Sequence, residues 1–249
     1  METDSKTYID AYLERARAAQ RILETYDQRR VDILVRAIAR AVYDHAEYLA
    51  EIAVKETEMG VYEDKVAKNQ MKAAIIWNSL KDKKSVGIIK RDGASGIVEV
   101  AKPMGIVAAI TPTTNPTVTP MSNAMFAVKG RNAIIITPHH KAIYTSTETV
   151  RLINEALRAC GAPEHLIQIL DQQSRENTRT LISSADVVIA TGGAGMVHAA
   201  YSSGRPALGV GAGNVQCILD RKIDYQRAVE KLIAGRVFDN GIICSGEQS

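Results

Sequence analysis

The chain has 249 residues, 46% of them apolar, with 31 basic against 28 acidic side chains for a net charge of +3. That apolar share supports a sizeable core and excludes a disordered chain, while the balanced charge excludes a strongly basic nucleic-acid binder. No apolar run approaches membrane-spanning length. Cys160, Cys217 and Cys244 are odd in number and far apart, so neither a disulfide framework nor a zinc site is indicated. The start, Met1 to Lys6, lacks a charged-then-apolar leader pattern. These features describe a soluble, cytoplasmic protein that binds neither nucleic acid nor membrane.

Residues 4–80 follow a helical period. Tyr8, Tyr12 and Leu13 share one face, and Val31, Leu34, Val35, Ile38, Ala41 and Val42 repeat at three and four. Gly60 is expected to end the second helix, and Val66, Met71, Ile75 and Ile76 to form the next buried face. Lys81-Asp82-Lys83-Lys84 reads as a solvated loop. At Val86 the pattern changes to two β-type runs around Asp92-Gly93, which predicts a hairpin over 86–100 that needs a further partner.

From 103 onward short apolar strands alternate with helices. Strands are expected at Gly105–Ile110, Ala133–Thr137, Leu166–Leu170, Asp186–Ala190 and Pro206–Val210, with helices near 117–129, 143–160, 175–183 and 194–203. This alternation predicts an α/β fold with a doubly wound, mostly parallel sheet, whose ligands lie beyond the carboxyl ends of its strands. A further strand is expected over Val215–Leu219, with Cys217 a core thiol, followed by a helix over 223–237. Cys160, before Gly161, reads as a helix-end thiol.

The strand ends carry the candidate chemistry. Thr111-Pro112-Thr113-Thr114-Asn115-Pro116 is a loop stiffened by two prolines, in which Asn115 is either a turn residue or a fixed amide donor. Pro138, His139, His140 and Lys141 follow the second strand. Adjacent histidines on a strand face apart and rarely share a metal, so no metal site is read there. Gly192 and Gly193 lead into a helix, where small residues let backbone N–H groups approach a pyrophosphate. The G-x-G-x-x-G dinucleotide fingerprint is absent after the first strand. His198, one turn into that helix, reads as packing. Val210 and Gly211 end the fifth strand, and Cys244 follows in Phe238-Asp239-Asn240-Gly241-Ile242-Ile243-Cys244-Ser245, either an ordinary thiol or a nucleophile.

These blocks, in this order, resemble the CoA-acylating branch of the aldehyde dehydrogenases, including the aldehyde half of bifunctional aldehyde/alcohol dehydrogenases. The resemblance implies a Rossmann-like nucleotide-binding domain over 1–85 and 102–214, an oligomerisation hairpin over 86–101, and the start of a catalytic domain over 215–249. It makes Cys244 the nucleophile and Asn115 the oxyanion donor. Cofactor contacts then fall to Thr111, Pro112, Thr113, Thr114, Pro138, His139, His140, Gly192, Gly193, Val210 and Gly211. Thr137 and His140 stand where the wider family has a lysine and a ribose-gripping glutamate, which leaves NAD or NADP open. Val210 stands where hydrolytic members carry the glutamate that activates water. Valine takes no proton, whereas a thiol attacks without that help, so the implied acyl acceptor is coenzyme A. The implied protein oxidises a small aldehyde to its acyl-CoA and forms a homo-oligomer. The resemblance covers only the first part of the family's length, so impaired turnover by this chain is expected, with a non-catalytic nucleotide-binding or assembly fragment as the alternative and a hydrolytic aldehyde dehydrogenase as the second.

Overall fold

The structure is a computed structural model that describes residues 4–248; Met1 to Thr3, on which part of the leader reading rests, and Ser249 lie outside them. The helical start forms α1 (Ser5–Glu24), α2 (Gln28–Asp44), α3 (Ala46–Thr57) and α4 (Tyr62–Leu80). Asp27 caps α2 by accepting the Arg30 N–H at 2.8 Å, and α2 buries Val31, Leu34, Val35, Ile38, Ala41 and Val42 as its period predicts.

Two expectations for this region fail. The predicted second helix breaks at His45 (φ −108°, ψ 23°), whose ring bonds the Ala41 carbonyl at 2.8 Å, so Gly60 instead follows α3. In α4, Met71 and Ile75 are 49% and 59% exposed, whereas Lys65, Lys68, Asn69, Ala73 and Leu80 are buried. Apolar periodicity misreads α4 because the face it packs against offers a carboxylate and a hydroxyl, described below.

Strands β1 (Gly87–Asp92) and β2 (Ile97–Ala101) pair antiparallel as the expected hairpin. The Asp92 carboxylate accepts the Ala94 N–H at 3.0 Å and closes the turn, while Ile97, Val98 and Val100 are exposed. The main sheet contains β3 (Ile106–Ile110), β4 (Ala133–Thr137), β5 (Ile167–Ile169), β6 (Val187–Thr191) and β7 (Ala207–Val210). Its order is β5-β4-β3-β6-β7, parallel throughout. All five residues of β3 and of β4 are buried, as parallel strands covered on both faces must be.

The crossovers are α5 (Val118–Lys129), α6 (Ile143–Ala159), α7 (Arg175–Ser184) and α8 (Ala194–Tyr201). α2 packs on α5 and α6, and α1 packs on α7 and on β4, so the N-terminal helices cover helix layers on both sides. The expected strand over Val215–Leu219 does not form. Val215 makes a single bridge to Glu247, Ile218 is 90% exposed, and Cys217 is only half-buried, because no neighbouring strand is there to complete a ladder. α9 (Tyr225–Val237) follows, then a 3₁₀ turn at Phe238–Gly241. α9 buries none of its residues and leaves Val229, Ile233 and Val237 exposed. Among the described residues no helix is long and apolar enough to cross a membrane.

The central strand is anchored where it begins. The Asp186 carboxylate accepts the Ile106 N–H at 2.7 Å and the Arg17 guanidinium at 2.6 Å, tying the foot of β3 to α1. A Cβ at Gly105 (φ +126°) would collide with that carboxylate, so only glycine fits. Burial pushes the Asp186 carboxyl up, but Arg17 and the Ile106 N–H outweigh it and hold it below the usual carboxylate range. A carboxyl depressed in the folded state contributes stability above its unfolded pKa of about 3.9, and loses it as pH falls through the lower folded value. Asp186→Asn should therefore destabilise the protein by about 1–2 kcal/mol at pH 7 and by much less at pH 3, as thermal melts at the two pH values would show.

Candidate active site

The winding of the sheet reverses at β3. The chain runs from β3 outward to β5, then returns to β6 on the other side of β3. The loops leaving β3 and β6 therefore part from each other and open a crevice at the carboxyl ends, where open α/β sheets hold ligands. Two cavities of about 610 and 630 Å³ occupy it and share Ile110, Thr111, His139, Gly195 and Met196 in their walls.

The first cavity is the one that holds a cysteine. It brings together Cys244, Asn115, Thr111 to Thr114, Gly192, Gly193, Val210 and Gly211, which are far apart in sequence. Cys244 is exposed at its wall, delivered there by the 3₁₀ turn after α9. A Cβ at Gly213 would collide with the Cys244 backbone carbonyl, so the glycine-rich segment after β7 lies directly against the Cys244 loop. The turn itself is pinned by Asp239, which is fully buried and accepts the Val61 N–H at 3.0 Å, Lys65 Nζ at 3.3 Å and Lys68 Nζ.

Asn115 lines the same cavity half-buried, its Nδ2 donating to Thr114 Oγ1 at 3.2 Å. The loop behind it is held at two points. Thr117 Oγ1 donates to Asn69 Oδ1 at 2.6 Å, and Ser146 Oγ donates to the Pro116 carbonyl at 3.2 Å. Thr111 Oγ1 and Thr113 Oγ1 are buried without a hydrogen-bond partner. Orphaned hydroxyls in a cavity wall are costly unless a ligand satisfies them.

Across the crevice, the Gly192 N–H donates to the Val210 carbonyl at 3.1 Å, and Gly193 caps α8. A Cβ at Gly193 or Gly195 would meet nothing within 4 Å, so the first turn of α8 presents open space before its N–H groups. His198, expected to pack, is exposed and lines neither cavity, since α8 turns that face outward.

The second cavity contains Pro138 and His140, which the first does not. The two histidines do not face apart as expected. They lie past the end of β4, where the pleat no longer alternates side chains, and their rings stack 4.2 Å apart. No group of three or more His, Cys, Asp or Glu residues capable of holding a metal exists among the described residues. His139 Nδ1 accepts the Lys141 N–H at 3.2 Å, leaving Nε2 as the protonated nitrogen. Burial, then the charges of His140 and Lys141, hold His139 below the usual imidazole range, so it is neutral at pH 7. Thr137 turns away from the cavity, bonding Gln173 Oε1 at 2.7 Å.

Sequence reading missed Gln173, Ser174, Arg175, Thr178 and Arg179, which complete this second cavity. They follow β5 just as the other candidates follow their strands, so the strand-end rule would have found them. Among the described residues no carboxylate lines either cavity.

The sequence profile of the aldehyde dehydrogenase family matches residues 1–248. The succinate-semialdehyde dehydrogenase (acetylating) of Clostridium kluyveri is 59% identical over 97% of this chain and 53% of its own length. An acetylating aldehyde dehydrogenase from Geobacillus thermoglucosidasius superposes with a TM-score of 0.94 at 44% identity, over 98% of this chain and 54% of that one. The propionaldehyde dehydrogenase of Rhodopseudomonas palustris, solved with bound propionyl-CoA, gives 0.85 at 33% identity over 96% and 53%. The chain thus spans about half the length of the relatives it matches. In order of blocks, sheet topology and cavity alike, it belongs to the aldehyde dehydrogenase family.

Proposed function

We propose that this chain carries the nucleophile and the dinucleotide cradle of a CoA-acylating aldehyde dehydrogenase. The observation that carries the reading is a cavity containing a cysteine, an amide and a glycine-rich strand end, with Val210 present and no carboxylate. The residues also suit a dinucleotide. Thr111 and Thr113 offer unpartnered hydroxyls, and α8 presents its N-terminus to open space. A bound nicotinamide dinucleotide supplies the hydride acceptor that turns the sulfur-bound aldehyde adduct into a thioester.

The protein's own groups do the rest. Cys244 Sγ adds to the aldehyde carbon, and the Asn115 amide with the Cys244 N–H stabilises the oxygen as it becomes anionic. Water then lacks a base. Val210 takes no proton, and the neutral His139 has its acceptor nitrogen occupied. The thiol of coenzyme A, with a pKa of about 8.5 if it behaves as an ordinary thiol, ionises enough to attack the thioester and release acyl-CoA. The names of the relatives place small semialdehydes and aldehydes in the substrate class, and we assign this chain the same. The hairpin's exposed Ile97, Val98 and Val100 suit pairing with a second copy. Three free cysteines suit a reducing compartment.

The test is product identity. With purified protein, dinucleotide and a short aldehyde, CoA should yield thioester, and its omission should leave only slow acid release. Rapid CoA-independent acid formation would mean that a base exists outside the described walls. Asn115→Ala should lower single-turnover acyl transfer by about 10²–10³-fold and leave dinucleotide affinity near its original value. Near-normal transfer would reduce Asn115 to a turn residue.

At the adenosine end, Arg175, Arg179 and His140 stand without a carboxylate, an arrangement that accepts a 2′-phosphate rather than repelling it. Adenosine 2′,5′-bisphosphate should therefore bind more tightly than AMP in calorimetry. Arg179→Ala should erase that difference, roughly tenfold, without weakening AMP. Equal binding of the two nucleotides by the unaltered protein would rule this out.

A further inference from the structure

The 3₁₀ turn that delivers Cys244 has an unusual backbone. Asp239, Asn240 and Gly241 have φ of 51°, 54° and 70°, three successive residues in the left-handed region. For the two residues other than glycine this costs on the order of 1–2 kcal/mol each, and it persists only where the surroundings impose it. The surroundings here are the start of α4. Five hydrogen bonds join the turn to residues 60–68: three into the Asp239 carboxylate from the Val61 N–H, Lys65 and Lys68, one from the Asp239 N–H to Asp64, and one from Asn240 Nδ2 to the Gly60 carbonyl.

The ion cluster at the centre is a poor stability device. Lys65 and Lys68 are each 3% exposed and share one fully buried carboxylate. Desolvating three charges is expensive, and buried ion pairs can often be exchanged for apolar side chains at no loss. Burial, then the charge of Lys68, lowers the Lys65 pKa against the opposing pull of Asp239, so the surroundings disfavour the charge on Lys65. What it supplies is direction. Two ammonium groups on successive turns of one helix can be met by a carboxylate in only one place.

The next residue on the same face extends the argument. Asn69, 1% exposed, receives Thr117 Oγ1 at 2.6 Å and donates to the Ala46 carbonyl at 3.1 Å. Thr117 lies two residues beyond Asn115, at the head of α5. One face of α4 thus grips both sides of the reactive cavity, the nucleophile turn through Lys65 and Lys68 and the Asn115 loop through Asn69.

We propose that Lys65, Lys68 and Asn69 are positioning residues, and that by gripping Asp239 and Thr117 they set the place of Cys244 relative to Asn115. The inference rests on the reading of Cys244 as nucleophile and Asn115 as oxyanion donor. Neither lysine lines the cavity, so their effect is transmitted through Asp239.

Two rates on the purified protein separate positioning from mere stability. Acylation of Cys244 by p-nitrophenyl acetate breaks the ester C–O bond, expels p-nitrophenolate and builds charge on the carbonyl oxygen, so it needs the oxyanion donor. Alkylation by iodoacetamide displaces iodide at a saturated carbon and needs only the thiolate. Peptide mass mapping assigns both to Cys244, with Cys160 as the internal standard. Asp239→Asn and Lys68→Met should slow acylation by about 10–10²-fold, as a misplacement of about 1 Å does, while alkylation hardly changes. Lys68→Arg, which keeps charge and reach, should recover most of the acylation rate, and Asn115→Ala calibrates total loss of the donor. Thermal melts show which variants fold; if Asp239→Asn does not, Lys65→Met is the replacement. Parallel loss of both rates, or loss of neither, overturns the proposal. An unaltered Cys244 acylated no faster than Cys160 overturns the nucleophile reading, and the proposal with it.

Discussion

The reversal of strand order at β3 is the constraint on which the remaining features depend. A parallel sheet must send each crossover helix over one face, and the direction in which the next strand is laid decides which face. Because β4 and β5 are laid to one side of β3 and β6 and β7 to the other, the helices after β3 and β6 leave on opposite faces. Their first residues cannot meet, and the crevice between them is the one place on the sheet where backbone N–H groups and loop side chains converge on open space. Thr111 with its unpartnered hydroxyl and Gly193 at the head of α8 stand on its two sides for that reason.

The crevice alone would bind a nucleotide and do nothing further. Chemistry needs a nucleophile, and the sheet supplies none. Cys244 arrives from outside it, on a turn after α9, a helix that buries none of its residues. A segment so weakly packed would place a thiol poorly. The burial of Asp239 beneath α4 compensates, converting a loosely held approach into a fixed end point. The two halves of the site therefore rest on different physics, apolar burial in β3 to β6 for the crevice and buried charge for the Cys244 turn.

This division explains what was legible in the sequence. The strands were legible because β3 and β4 are continuous apolar runs, and the observed ends differ from the expected ones by a residue or so. Thr111 to Asn115 and Gly192-Gly193 followed from the rule that ligands gather beyond strand ends. Reading Cys244 as nucleophile came from resemblance, since nothing in periodicity marks one thiol above another. α4 was misread because its buried residues at 65, 68 and 69 are polar, and hydrophobic patterning counts such positions as surface. Asp239, the partner of Lys65 and Lys68, is about 170 residues away, and Thr117, the partner of Asn69, is 48 away, separations at which no local rule operates. Val215–Leu219 failed for the converse reason, having a strand's composition without a neighbour to pair with.

The two ends of the crevice also differ in charge, and the difference bears on the choice of reaction. At the end lined by Pro138 and His140, Arg175 and Arg179 supply the cationic groups, suited to phosphate oxygens. At the Cys244 end the wall is mostly threonine, glycine and aliphatic side chains with the two amides of Asn115 and Gln248, and among the described residues it holds no carboxylate. A site of this kind stabilises negative charge on a substrate oxygen through directed N–H groups while doing nothing to ionise water. If the proposed thioester forms there, it should be long-lived toward hydrolysis and open to a nucleophile that arrives already ionised. A Cβ at Gly211 would meet nothing within 4 Å, so the wall is low there, whereas Gly213 is packed tightly against the Cys244 carbonyl. On the proposed chemistry, selection of thiol over water would follow from what the wall lacks, and a carboxylate introduced at position 210 is the change that would put it at risk.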